Sequence, residues 1–113
     1  MTDAITDDYM HDMLGRTRRY TIVLLHRTGK RDEPGADAIV WEHGRRNFAL
    51  RASGKLAIVG PVPGGTELVG IGIFDADEDQ ARQIMDEDPG VTAGIFTYEV
   101  HPLVSFPGDR LPE

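Results

Sequence analysis

The sequence predicts an α+β fold in which strand, helix, strand, strand, helix and strand follow one another (βαββαβ) around one antiparallel four-stranded sheet. Three observations carry that expectation: short runs rich in β-branched and aromatic residues, two longer segments with apolar residues at helical spacing, and Gly or Pro punctuation between them. A chain of 113 residues is long enough for one domain with a single core. The segmentation is an N-terminal arm over 1–17, flexible or partly helical, a domain over 18–107, and a short tail over 108–113.

The arm is polar, carries Asp3, Asp7, Asp8 and Asp12, and lacks sustained periodicity. Its His11 reads as a solvated tail residue. Arg18 to Arg27, RRYTIVLLHR, has the β-branched and aromatic enrichment of a strand, and consecutive Val23, Leu24 and Leu25 require cover on both faces. Thr28 to Gly35 is loop by composition.

From Ala36 to about Ala52 the spacing predicts a helix. Ile39, His43, Asn47 and Leu50 share one stripe, Val40, Gly44 and Phe48 lie beside it, and Glu42, Arg45, Arg46 and Ala49 face away. His43 therefore belongs on or at the edge of the buried face, and Gly54 supplies a left-handed stop. Lys55 to Val62 is the second strand, ended by Gly60-Pro61, because proline cannot donate to a ladder. Leu68 to Asp75 is the third, with Gly70 and Gly72 on one face, which leaves room for something large to approach.

Asp75 or Asp77 caps the second helix, whose inward face is Ala81, Ile84 and Met85. Asp86, Glu87 and Asp88 crowd its C-terminal end, where the helix dipole disfavours them. Pro89-Gly90 makes a turn, and Ala93 to Val104 is the fourth strand. This order is the ferredoxin-like split unit, with both helices on one face of the sheet. The opposite face is largely apolar, and the simplest cover for it is a second copy of the chain, so a homodimer is expected.

Charge narrows the function. Residues 1–55 hold ten Lys/Arg against eight Asp/Glu, whereas 56–113 hold two against eleven, which argues against a nucleic-acid surface. The absence of cysteine removes disulfides, thiolate metal sites and cysteine nucleophiles. No apolar run approaches the roughly 18 residues of a membrane span, and the acidic N-terminus is unlike a signal peptide, so no membrane partner and a cytoplasmic location are expected.

His43 is the leading candidate for chemistry: an imidazole at the edge of an apolar helix face, near a glycine-lined strand, has the setting of a general base tuned by burial and a carboxylate. The competing reading is a core histidine bonded to a backbone carbonyl. Asp88, before proline at a helix end, reads from its position as a turn-making cap. His26 and His101 are assigned near the ends of two central strands, where antiparallel pairing holds them apart. No two-histidine metal site is expected, and each is a candidate for lining the pocket or the dimer seam. Trp41 either stacks on an aromatic ligand or packs in the core or an interface. Gly60 and Pro61 lead from strand to strand, so they do not cradle phosphate and are candidates for a pocket wall. Ser53 and Ser105 lack a nucleophile-elbow context.

Four pieces carry a family likeness: the opening strand YTIVLL, the helix motif EHGRRNFALRASGKL, the strand end AIVGP, and MDEDPGVTAGIFTYEVHP. From about Arg19 to Pro107 the chain resembles the YciI-like (YCII-related) family. The resemblance implies a dimeric α+β barrel, in which two ferredoxin-like sheets face each other and enclose a pocket per subunit. It further implies a histidine-aspartate pair as active site, and some relatives act on chlorinated or hydroxylated rings as dehydrochlorinases or isomerases. The family histidine corresponds to His43. Its acid corresponds to Asp88 of Asp88-Pro89, or else follows the helix, where Arg51 to Lys55 contain no carboxylate.

The expected function is cofactor-independent proton transfer, elimination or isomerisation, on a small cyclic or aromatic ligand. No cofactor and no metal are expected. A non-catalytic ligand-binding or assembly module is the alternative, and a cofactor-free monooxygenase rests on fold analogy alone.

Overall fold

A computed structural model describes residues 4–113; Met1, Thr2 and Asp3 of the expected arm lie outside the described residues. The elements are α1 (Asp7–Leu14), β1 (Arg18–Arg27), a 3-10 turn (Gly29–Asp32), α2 (Ala36–Ala52), β2 (Leu56–Pro61), β3 (Leu68–Phe74), α3 (Glu78–Asp86), α4 (Pro89–Thr92) and β4 (Phe96–Ser105). The fold is α+β, with one four-stranded antiparallel sheet in the order β2-β3-β1-β4.

In the arm, Thr6 accepts a hydrogen bond from the Tyr9 amide, and Asp7 and Asp8 suit the first turn of α1. None of the α1 residues is buried.

The sheet order corrects one expectation. β4 pairs with β1 alone, because β3 occupies the other side of β1, so β4 is an edge strand and His101 is not on a central one. His26 stands opposite Thr97 and His101 opposite Ile22, which keeps the two histidines apart. Pro102 and Pro61 lie in the two edge strands, where a missing amide donor is tolerated.

Alternation divides the sheet into two faces. Thr21, Val23 and Leu25 of β1 pair with Phe74, Gly72 and Gly70 of β3, and this face meets the helices. With Leu56, Ala81, Met85, Ile95 and Phe96 it forms the core. On the other face Ile22, Leu24, Ile71 and Ile73 are half-buried, and no helix among the described residues covers them. The room left by the strand glycines is partly taken by the chain itself: a Cβ on Gly72 would lie 3.1 Å from Leu56 and 3.2 Å from Phe74.

The helices differ from the sequence expectation at three places. Arg46 is half-buried, not turned to solvent, and donates to the Ile84 carbonyl at 2.7 Å, because the end of α3 and the neighbouring α4 close on that flank of α2. Trp41 is 70% exposed and so outside the core. The turn expected at Pro89-Gly90 is the short helix α4, which delays β4 to Phe96. Pro89 has the fixed φ of a first helical residue, and Asp88 caps the amides that follow. Gly94, at φ 76°, then turns the chain into the strand. No helix among the described residues is long and apolar enough to cross a membrane.

Candidate active site

The middle of α2 turns His43 toward the sheet, and the junction of α3 and α4 brings Asp88 beside it. Nδ1 of His43 lies 2.8 Å from Asp88 Oδ1 and 2.9 Å from Oδ2. Oδ2 also accepts the amides of Gly90 at 2.9 Å and Val91 at 3.2 Å. Asp88 is 1% exposed and His43 9%. The carboxylate thus serves two purposes, capping α4 and fixing the imidazole.

Burial is the largest single influence on the Asp88 carboxyl and opposes its ionisation. The hydrogen bond and charge of His43, with the Val91 and Gly90 amides, outweigh burial and hold it below the usual carboxylate value. Arg46 adds a cation 3.9 Å from Oδ1. A carboxylate facing Nδ1 places the proton of a neutral imidazole there and leaves the lone pair on Nε2. Asn47, one helical turn along, is 3.2 Å from Nε2 and donates to it. The ring of Phe96 packs beside the imidazole, 4.9 Å from its centroid and tilted by 52°.

A cavity of about 730 Å³ opens between α2 and the sheet. Val23, Leu25, Val59 and Phe74 are among its apolar lining, His43 and Asn47 bring polar groups into it, and Arg27, Arg31 and Arg51 are its cations. That volume lies within the range of small-molecule sites. No buried side-chain nitrogen or oxygen among the described residues lacks a partner, and no three of His, Asp and Glu there are grouped to hold a metal ion.

His43, Gly60 and Pro61 line this cavity, and Asp88 stands behind His43. His26, Trp41 and His101 are not among its lining. His26 and His101 belong to the uncovered sheet face, where His26 Nε2 meets Glu99 Oε2 at 2.9 Å. Trp41 faces outward.

The cavity also lies on a different side of the sheet from the one the resemblance implies. It sits between α2 and the sheet of one chain, not between two facing sheets. The reason is geometric: the stripe that buries His43 faces the helix-covered side, and the sheet itself separates that side from the open one.

Asn47, Arg46, Arg51 and Phe96 join or flank the site without having been singled out for it. Asn47 was readable from its i+4 spacing to His43. Phe96 had no local signal, since its contact with His43 spans 53 residues.

The YCII-related domain family matches residues 20–104 of this chain. Among solved structures, the chain is similar to 5-chloro-2-hydroxyhydroquinone dehydrochlorinase (TftG) from Burkholderia phenoliruptrix AC1100 in complex with 2,5-dihydroxybenzoquinone. The identity is 21% and the TM-score 0.47, over 71% of this chain and 90% of that one. No curated protein matches the chain. A match across residues 20–104, well over half of the sequence, shows that the chain belongs to the YCII-related domain family.

Proposed function

We propose that this protein is a homodimer that binds a small cyclic or aromatic compound and moves a proton on it without a cofactor, in an elimination or isomerisation. The observation that supports this reading is the buried His43–Asp88 pair at the wall of a largely apolar cavity. Nε2 of His43 takes the proton once the Asn47 amide that donates to it turns aside, and Asp88, a positioning residue, holds the ring and stabilises the imidazolium that forms. In an elimination the C–H electron pair becomes a double bond as the leaving group departs with its own pair. In an isomerisation the imidazolium returns the proton to another atom of the same molecule.

The test needs no knowledge of the natural substrate. Exchange of acidic C–H protons into D₂O, followed by proton NMR on a panel of cyclic ketones and hydroxylated aromatics, is accelerated by the protein. It is lost in His43→Gln and falls by about 10²-fold or more in Asp88→Asn. An Asp88→Asn protein that loses only thermal stability would sink the pair as a catalytic device.

That outcome would favour a non-catalytic binding module, a reading supported by the capping bonds from Gly90 and Val91. The homodimer reading rests on the uncovered apolar face at Ile22, Leu24, Ile71 and Ile73. Solution scattering is expected to return twice the chain mass, and a monomer at micromolar concentration would overturn it.

A further inference from the structure

We infer that the ligand of this cavity is a small organic anion with a flat apolar body, a ring bearing a carboxylate or an ionised hydroxyl, and that Arg51 receives its charge. This rests on the cavity being the ligand site. The chain carries 19 acidic residues against 12 Lys and Arg, a formal charge of −7. Its cavity inverts that balance, with three arginines and no Asp or Glu in the lining. Another concavity, of about 850 Å³ near the start of β1, has four cations and four carboxylates and no such bias. Cations in a partly enclosed, apolar recess focus potential and raise the local concentration of anions.

The three arginines are not equivalent. Arg27 is paired with Asp32, and Arg31 with Asp37 at 2.7 Å, and both acids stand outside the lining. Arg51 has no side-chain hydrogen bond or ion pair among the described residues, so its charge is the one left for a ligand. It lies eight residues after His43 on α2, about 12 Å along the axis at 1.5 Å per residue, and helical side chains lean back toward the N-terminus. The long Arg51 side chain, leaning back along the helix, shortens that separation toward the length of a ring with its charged group, which is the span assigned to the ligand. Phe48, on the same helix and also in the lining, offers that ring an aromatic face. The same cation stabilises the negative charge that builds up on the ring when His43 removes a proton from it.

Benzoate and benzamide, matched in shape and differing in charge, test the assignment when each is titrated into the full chain. Binding is read from the His43 ring resonances, assigned with His43→Gln. Benzoate is expected to bind about tenfold more tightly than benzamide at low salt, with the preference falling as salt is added. Arg51→Gln is expected to abolish the preference and Arg51→Lys to keep most of it. Arg51 is exposed, so both variants are expected to fold, with circular dichroism as the check. Equal affinities in the unmodified protein, or an unchanged preference in Arg51→Gln, would overturn the anion assignment and leave the cavity as the ligand site. If neither probe moves the His43 resonances, the cavity reading falls with it.

Discussion

His43 meets Asp88 at 2.8 Å and His26 meets Glu99 at 2.9 Å, so the described residues hold two histidine-carboxylate pairs of nearly one geometry. Their surroundings differ. The Asp88 side chain is enclosed, shares its oxygens with two backbone amides and lies behind a cavity, whereas Glu99 is 53% exposed on the uncovered sheet face. Both carboxyls are held below their usual values, through different balances. For Asp88, burial is the largest influence and is overcome by several partners; for Glu99, the His26 hydrogen bond leads and burial opposes it only second. Distance alone therefore does not distinguish a site from a surface pair. What distinguishes them is the number of groups stranded when the carboxylate is removed.

Removing each carboxylate gives the largest contrast. Asp88→Ala leaves the His43 ring and the Gly90 and Val91 amides without their acceptor in a dry environment, and is expected to cost about 3–5 kcal/mol in urea denaturation. Glu99→Ala is expected to leave the unfolding midpoint unchanged, since water replaces the lost partner. A large loss in Glu99→Ala that depends on protein concentration would mean that a second copy buries that face. A large loss independent of concentration would remove burial as the difference between the pairs.

The two pairs also differ in how they could be read from sequence. His43 was placed on the inner face by helical spacing alone, with Ile39, Asn47 and Leu50, because period 3.6 reports one wall of a helix reliably. Its partner lies 45 residues away, and only the family likeness at Asp88-Pro89 pointed to it. Arg46 was assigned to solvent because periodicity assumes one buried side, whereas α2 meets the sheet on one side and the α3–α4 junction on another. The His26–Glu99 contact needs the β1–β4 register, a diagonal across neighbouring strands that the alternation pattern in either strand does not encode. The βαββαβ element order was legible and the location of the cavity was not, because a fold topology says which face is covered but not where packing leaves space.

Gly90 gives a smaller but more local way to disturb the buried pair. A Cβ there would lie 2.5 Å and 2.8 Å from the Phe96 ring and 3.1 Å from Asp88 Oδ2, and the ring that must give way has its centroid 4.9 Å from that of His43. Gly90→Ala is expected to cost about 1–3 kcal/mol by overpacking and to shift the His43 ring resonances. Gly60→Ala is its control: Gly60 lines the same cavity with nothing within 4 Å of the added atom, and little change in stability is expected. Equal costs at the two positions would mean that the packing around Phe96 is looser than these distances imply.

Acid separates the pairs by the smallest margin. The Asp88 carboxyl sits below its ordinary 3.8 in the folded chain, so its ionised form favours folding. That contribution is fully present above pH 3.8 and is lost as pH falls through the lower folded value. The stability gap between the unmodified protein and Asp88→Asn is therefore expected to stay constant from neutral pH down to about 4, then to narrow at lower pH as both carry a neutral group there. Glu99→Gln is expected to show no gap of comparable size at any pH, because its oxygens are in water. Urea midpoints measured in parallel across the acid range decide the matter. A gap that instead shifts in favour of the unmodified protein as pH falls from neutral toward 3.8 would mean that the Asp88 carboxyl is raised by its burial, and that His43 and the two amides do not overcome the cost of enclosing the charge.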